Sequence, residues 1–304
     1  MRNSFVVAIT ILSMLTTLFS VCTDLPALPG GGGEGIDDFF RISEPADSSE
    51  ERERLPLRLI VFVDQTDTIS DSASGKDYWK EALPELLSKK RRNFRVPGVE
   101  MCEFRSNEDY CRDIIEIRPI HANTRLASAW LSRGFRGAGI SEASKGRNRS
   151  RTIAAWNTFR KAIRDSEWSV SGPDRQNTDI YSAFVRLAKS EIMDNRSGSQ
   201  AEVRRVVIFY SDMIHDASPL DLQNNFPYPQ LDPAKIQALA KDQAQRDMQW
   251  ISSRERERLV GVEMLVFVPP GNKAYDNNSE YQQKMGSFWR SYSTALGVGE
   301  FHWE

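Results

Sequence analysis

Three short polar stretches hold the oxygen-bearing side chains that could do chemistry in this chain: Asp64-Gln65-Thr66-Asp67-Thr68, Asn177-Thr178-Asp179 and Ser211-Asp212. Carboxylates and hydroxyls are hard donors, the kind that Mg²⁺ or Ca²⁺ takes in preference to nitrogen or sulfur. The chain has 3 His and 3 Cys, none in C-x-x-C or H-x-x-x-H spacing, so any metal here is expected to be a hard ion bound by oxygen rather than a structural zinc. No G-x-S-x-G nucleophile elbow and no G-x-x-x-x-G-K-[ST] phosphate loop occurs.

Each polar stretch follows or opens a regular element. Residues Leu57 to Val63 are apolar apart from Arg58 and run into Asp64, the pattern of a parallel strand buried on both faces. Val206 to Tyr210 and Val262 to Val268 read the same way, the latter stopped by Pro269-Pro270. Tyr78 to Lys90 carries helix-spaced Trp79, Leu83, Leu86 and Leu87, with Pro84 inside it. Val99 to Phe104 and Asp113 to Ile120 read as a hairpin. Helices are expected from Thr152 to Ser166, from Asp179 to Met193, from Pro233 toward Arg258 and from Ser279 to Ala295, with Glu300 to Trp303 as a closing strand. This alternation predicts an α/β fold: a doubly wound, mainly parallel sheet with helices on both faces and one antiparallel edge strand. Ligands of such sheets bind beyond the carboxyl ends of strands, where strand order reverses, and the three polar stretches fall at such ends.

In this arrangement the sequence resembles the von Willebrand factor type A (vWA) family and its metal-ion-dependent adhesion site. That family carries D-x-S-x-S after its first strand, a Thr on a later loop and an Asp after its fourth strand. Asp64, Thr66 and Thr68 match the first element with Thr at both hydroxyl positions, Thr178 matches the lone Thr, and Asp212 the late Asp. The closing Phe288-Trp289-Arg290-Ser291-Tyr292, then Gly297, is similar to the end of many such domains. Met213 departs from the pattern, standing where members often have Gly, and Asn177 replaces a small Gly. The resemblance implies that Thr66, Thr68 and Thr178 contact a divalent cation, Mg²⁺ first and Mn²⁺ or Ca²⁺ as alternatives, while Asp64 and Asp212 hold its waters. It further implies a non-enzymatic module that docks a protein partner through a carboxylate on the metal.

Other readings of the same residues stand beside that one. Asp64, Thr178 and Asp212 could simply cap helices or hold loops, leaving a metal-independent scaffold. Haloacid-dehalogenase-like phosphotransferases place D-x-D-x-T after a first strand; Asp64 and Thr68 fit, but Thr66 stands where that chemistry needs an acid. His215 and Asp216 are expected on a surface loop, and the basic, Gly-containing stretch from Arg133 to Arg151 as a solvated one. Trp79, Trp156 and Trp289 are expected in the core.

The chain's start has a separate character. Arg2 precedes a mostly apolar run from Phe5 to Val21, the pattern of a secretory signal in residues 1–22. Leu18-Phe19-Ser20-Val21-Cys22 resembles a bacterial lipobox, making Cys22 the candidate for lipidation and a membrane tether. Residues 23–54 contain Pro29-Gly30-Gly31-Gly32-Gly33 and an acidic stretch, a composition that suits a tether, leaving 55–304 for the folded domain. The expected location is therefore exported: periplasmic, or anchored as a lipoprotein in a bacterial envelope. An oxidising compartment would let Cys102 and Cys111 form a disulfide. A net charge of −2 gives no reason to expect nucleic acid as a partner.

Overall fold

The computed structural model describes residues 57–66, 78–87, 113–135, 154, 157–168, 170, 176–194, 203–217, 232–269 and 279–303. The described strands are β1 (Leu57–Asp64), β2 (Asp113–Ile120), β3 (Leu131–Phe135), β4 (Arg204–Tyr210), β5 (Glu263–Phe267) and β6 (Glu300–Trp303). The helices are α1 (Tyr78–Leu86), α2 (residues 157–164), α3 (Ile180–Lys189), α4 (Pro233–Asp247), α5 (Ser253–Glu257) and α6 (Ser279–Leu296). The strands form one sheet in the order β3-β2-β1-β4-β5-β6, parallel throughout except for the edge pair β2 with β3.

Alternation along each strand sorts the core into two apolar layers. Ile60 and Phe62 of β1, Val207 and Phe209 of β4 and Met264 and Val266 of β5 face α3, α4 and α6. Leu57, Leu59, Val61 and Val63, with Val206, Ile208, Tyr210 and Leu265, face α1 and α2 through Trp79, Leu83, Phe159 and Ile163. Successive strand residues point to opposite faces, so a strand covered on both sides must be apolar at every position, as β1 is from Leu59 to Val63. The fold is thus doubly wound, with helices on both faces.

Several elements differ from the sequence reading, each for a physical reason. Both edges of β2 are taken, by β1 in parallel and by β3 antiparallel, so a hairpin of Asp113 to Ile120 with Val99 to Phe104 is ruled out. The true edge strand, Leu-Ser-Arg-Gly-Phe, is polar at its centre, with Ser132 and Arg133 exposed, and has no apolar run to announce it. Val99 to Phe104, Cys22, Cys102 and Cys111 lie outside the described residues. The helix opened by Pro233 stops at Asp247 and a new one begins at Ser252, whose hydroxyl accepts from Glu255 N while the Glu255 carboxylate accepts from Ser252 N. That capping box, S-x-x-E, is a start signal inside what otherwise reads as one helix.

The register fixes where the site lies. Val63 pairs with Tyr210 and Asp64 with Ile120, so β1, β2 and β4 end level with one another. Strand order reverses between β1 and β4, and Asp64 and Ser211 stand side by side at that crevice.

At the opposite end of the sheet the backbone of Gly299 runs against Gly261. A Cβ built on Gly299 would lie 3.0 Å from Gly261 Cα, with main chain rather than a flexible side chain in the way. Gly299 N donates to Val262 O at 3.0 Å, so the two segments cannot part without losing that bond. Gly299→Ala is expected to destabilise the fold by about 1–3 kcal/mol, measured as a shift in the urea unfolding midpoint against Gly134→Ala, where a Cβ meets nothing closer than 3.9 Å.

Candidate metal centre

Asp64, the last residue of β1, is 1% exposed. Its two oxygens are held separately. Oδ1 accepts from Thr66 N at 2.9 Å and Thr66 Oγ1 at 2.7 Å, and Oδ2 accepts from Ser211 Oγ at 2.8 Å. Thr178, 112 residues further along the chain than Thr66, donates from Oγ1 to Thr66 Oγ1 at 3.0 Å. Asp212 is fully buried next to Ser211, its Oδ1 accepting from Ile214 N at 2.9 Å. The three sequence stretches therefore meet, and Asp64, Thr66, Thr178 and Asp212 are brought together. Thr68 lies outside the described residues.

The loops are tied as firmly as the side chains. Thr178 N donates to Asp216 Oδ1 and Asp216 N donates back to Thr178 O at 3.3 Å, closing a ring between the Thr178 loop and the end of the β4 loop. His215 Nδ1 accepts from Ile180 N at 3.1 Å. His215, 1% exposed, is thus a buried brace for the first turn of α3, and its expected place on a surface loop is corrected. Asp179, not Thr178, caps that helix, accepting from Ser182 N at 3.1 Å. Gln65, also buried, spans 103–105 residues to accept from Val170 N at 3.0 Å and donate to Trp168 O at 3.4 Å.

Met213 has φ 59°, the left-handed conformation. A residue with a Cβ pays about 1–2 kcal/mol to sit there, which explains why a Gly would suit the position. Three features hold it: Met213 N donates to Ser211 Oγ at 2.8 Å, Trp289 Nε1 donates to Met213 O at 2.8 Å, and its side chain is fully buried in the α3–α4–α6 layer. Ser211 and Trp289 were not among the expected site residues. Their signal was positional: Ser211 is the first residue past the strand that pairs with β1, and Trp289 is a core aromatic carrying a donor that needs a partner.

The electrostatics follow from two carboxylates in one dry place. Burial, then the nearby Asp212 charge, raise Asp64 from the usual 3.8 to about 7, against the lowering effect of the hydrogen bonds from Thr66 and Ser211. Asp64 needs either a proton or a counter-cation to be comfortable. Thr66 and Ser211 give their protons to Asp64, which leaves hydroxyl lone pairs for a cation. Three hydroxyls beside two carboxylates suit a hard divalent ion that keeps waters, and the residues present fit one. No group of three or more His, Cys, Asp or Glu side chains converges among the described residues, where hydroxyls are the other oxygen donors at this crevice.

The sequence matches no family model and no curated protein. Among solved structures it is similar to the human COPII-coat protein Sec24c, at 9% identity and TM-score 0.37 over 82% of this chain and 29% of that one. It is also similar to proximal thread matrix protein 1 from the mussel byssus, a structure with a zinc-occupied MIDAS motif, at 11% identity and TM-score 0.30 over 83% of this chain and 42% of that one. A second crystal form of that protein matches at 12% and 0.27, over 81% and 47%. The chain spans less than half the length of each. Overlap this slight decides nothing about the site, which rests on its own geometry.

Two outcomes are expected. Met213→Gly removes the strain but also a buried side chain worth about 2–5 kcal/mol, so stability falls by roughly 1–3 kcal/mol in urea unfolding rather than rising. In chelator, the folded pKa of Asp64 lies above its unfolded value, so its contribution to stability is full below about 3.8 and is lost as pH rises to about 7. Melting temperature should fall across that window, and Asp64→Asn should flatten the fall.

Proposed function

We propose that this chain is a vWA-like, non-enzymatic protein-binding module that docks a partner through a divalent cation at the Asp64–Thr66–Thr178–Asp212 cluster. The observation that carries the reading is the 3.0 Å approach of Thr66 Oγ1 and Thr178 Oγ1, with Thr66 Oγ1 also bonded to the buried Asp64, whose carboxyl in turn feels the charge of buried Asp212. In this reading Thr66 and Thr178, with Thr68 two residues on in the sequence, supply hydroxyl oxygens. Asp64 and Asp212 balance the charge and accept hydrogen bonds from water. A cation, Mg²⁺ first among candidates, would offer an electrophilic position to a partner carboxylate, because few charged ligands touch it. The chain's own part is to hold the hydroxyls close, keep the carboxylates dry and fix the loops through Asp216, His215 and Trp289.

The rival phosphotransferase reading needs a general acid–base two residues after Asp64. Thr66 there donates its hydroxyl proton to Asp64, which favours the docking reading. The module is proposed to work in a bacterial envelope, with residues 1–22 as export signal, Cys22 as a lipidation site and residues 23–54 as tether.

Calorimetric titration with Mg²⁺ and Mn²⁺ tests the site. Saturable binding is expected, with a rise in melting temperature, and Asp64→Ala and Asp212→Ala should each weaken it at least about tenfold, the loss of a charge-assisted contact. Unchanged metal affinity in both variants would overturn the reading, and absence of binding in the parent chain would leave the scaffold alternative.

A further inference from the structure

A second polar cavity, of about 200 Å³, lies beside the first turn of α3; it shares His215, the brace of that turn, with the hydroxyl-cluster region but none of the cluster's own hydroxyls or carboxylates. Two carboxylates line it: Asp179, the N-cap of α3, and Asp247, the last residue of α4. Asp247 is fixed by Tyr292 Oη, which donates to it at 2.6 Å, and by Gln243 Nε2 at 3.2 Å. Burial raises the pKa of both carboxyls, and for Asp247 the charge of Asp179 adds to the rise. The one guanidinium in the lining, Arg125, stands 5.7 Å over the ring of Trp250, itself 63% exposed.

Independently of the acids, Tyr181 points to a ligand. It lines the same cavity, is 5% exposed, and its buried phenol oxygen has no hydrogen-bond partner among the described residues. Burial first, then the charges of Asp247 and Asp179, push its ionisation well above the ordinary value, so the group stays a neutral phenol, an acceptor as well as a donor. A buried polar atom left unsatisfied is destabilising, and an occupant with N–H groups would relieve it.

We propose that this cavity is a second ligand site, for a primary alkylammonium group. Two acids outnumber the single guanidinium, so the concave lining favours a cation. Aromatic Tyr181 and Trp250 in the lining, the latter already carrying the Arg125 guanidinium over its ring, suit an organic cation. They do not suit a hydrated divalent ion, which wants a shell of oxygens. An ammonium has three N–H donors, enough for Asp247, Asp179 and the Tyr181 oxygen. Arg125 partly stands in for the missing charge at the rim. The same chemistry is offered by a lysine side chain of a partner and by a free amine. This inference does not depend on the metal reading.

The test is calorimetric titration of the full chain with butylammonium and with N-acetyl-lysine N-methylamide, using 1-butanol and butyrate as neutral and anionic controls. Saturable binding of at least one amine, and of neither control, is expected. Binding of the lysine derivative alone assigns the site to a protein side chain, and binding of butylammonium alone to a free amine. Asp247→Asn should weaken binding about tenfold or more, and Val185→Met, which fills the cavity from α3 without altering a charge, should do the same. Arg125→Gln should strengthen binding several-fold by removing the competing cation. Asp64→Ala should leave it unchanged, so that failure of one site is distinguishable from failure of the other. Amines that bind no better than butanol, or binding that survives both Asp247→Asn and Val185→Met, would overturn the proposal.

Discussion

The site region depends on one electrostatic constraint: two carboxylates, Asp64 and Asp212, buried to 1% exposure or less where the sheet divides. Water cannot solvate them there, so the protein must supply what water would have given. To Asp64 it supplies two hydroxyl donors and a backbone N–H, and the donors to Asp212 include the Ile214 N–H. These bonds do not cancel the repulsion, as the upward displacement of Asp64 shows. Burial and the neighbouring charge thus make the charged form of Asp64 unfavourable, and a proton would relieve it.

Such a pair can persist only if the loops that bear it cannot swing its members into solvent. Each loop is anchored to a different part of the core. Gln65 holds the β1 loop to the segment after α2, Asp216 and His215 hold the β4 loop to the start of α3, and Trp289 holds Met213 to α6. Trp289 in turn packs at 5.7 Å on Phe184 of α3, which packs at 5.2 Å on Phe209 of β4. The strained Met213 is the cost of bringing Asp212 round toward Asp64, and a close-packed aromatic layer is what resists its relaxation. The first turn of α3 carries both polar sites, with Thr178 facing the hydroxyl cluster and Asp179 lining the second cavity.

What could be read beforehand followed from burial and register. Strands covered on both faces must be uniformly apolar, so β1, β4 and β5 were visible, and the residues just past them had to lie together. The neighbourhood of Asp64 and Asp212 was legible for that reason, whereas Thr178, at the start of α3, was placed beside them by the family resemblance alone. Features set by tertiary partners were not. Strand β3 lies at an edge and carries no apolar signature, so its pairing to β2 was assigned to the wrong segment. Ser211 and Met213 act through their positions relative to Asp64 and Trp289, and no local pattern marks a Met that will adopt φ 59°. His215 looked like any loop histidine because its burial is produced by α3 and Tyr181, whose ring lies 4.2 Å away. The second cavity is assembled from Asp179, Asp247 and Tyr181, three residues on two helices far apart in sequence.

Position 66 decides between chemistries that share this architecture. An acid there, beside Asp64, would give a proton donor and a nucleophile at the end of a first strand, the equipment of phosphoryl transfer. A threonine gives neither, since its hydroxyl does not exchange a proton usefully near neutral pH. It gives instead an uncharged oxygen, with its proton turned toward Asp64 and its lone pairs toward Thr178. Replacing a charged ligand by a neutral one leaves more positive charge on any cation held there. That surplus would strengthen attraction for an outside carboxylate; it would also acidify a bound water, but position 66 offers no acid or base to carry the proton onward. The threonine at position 66 thus weakens the case for phosphoryl transfer while remaining compatible with the docking proposed above.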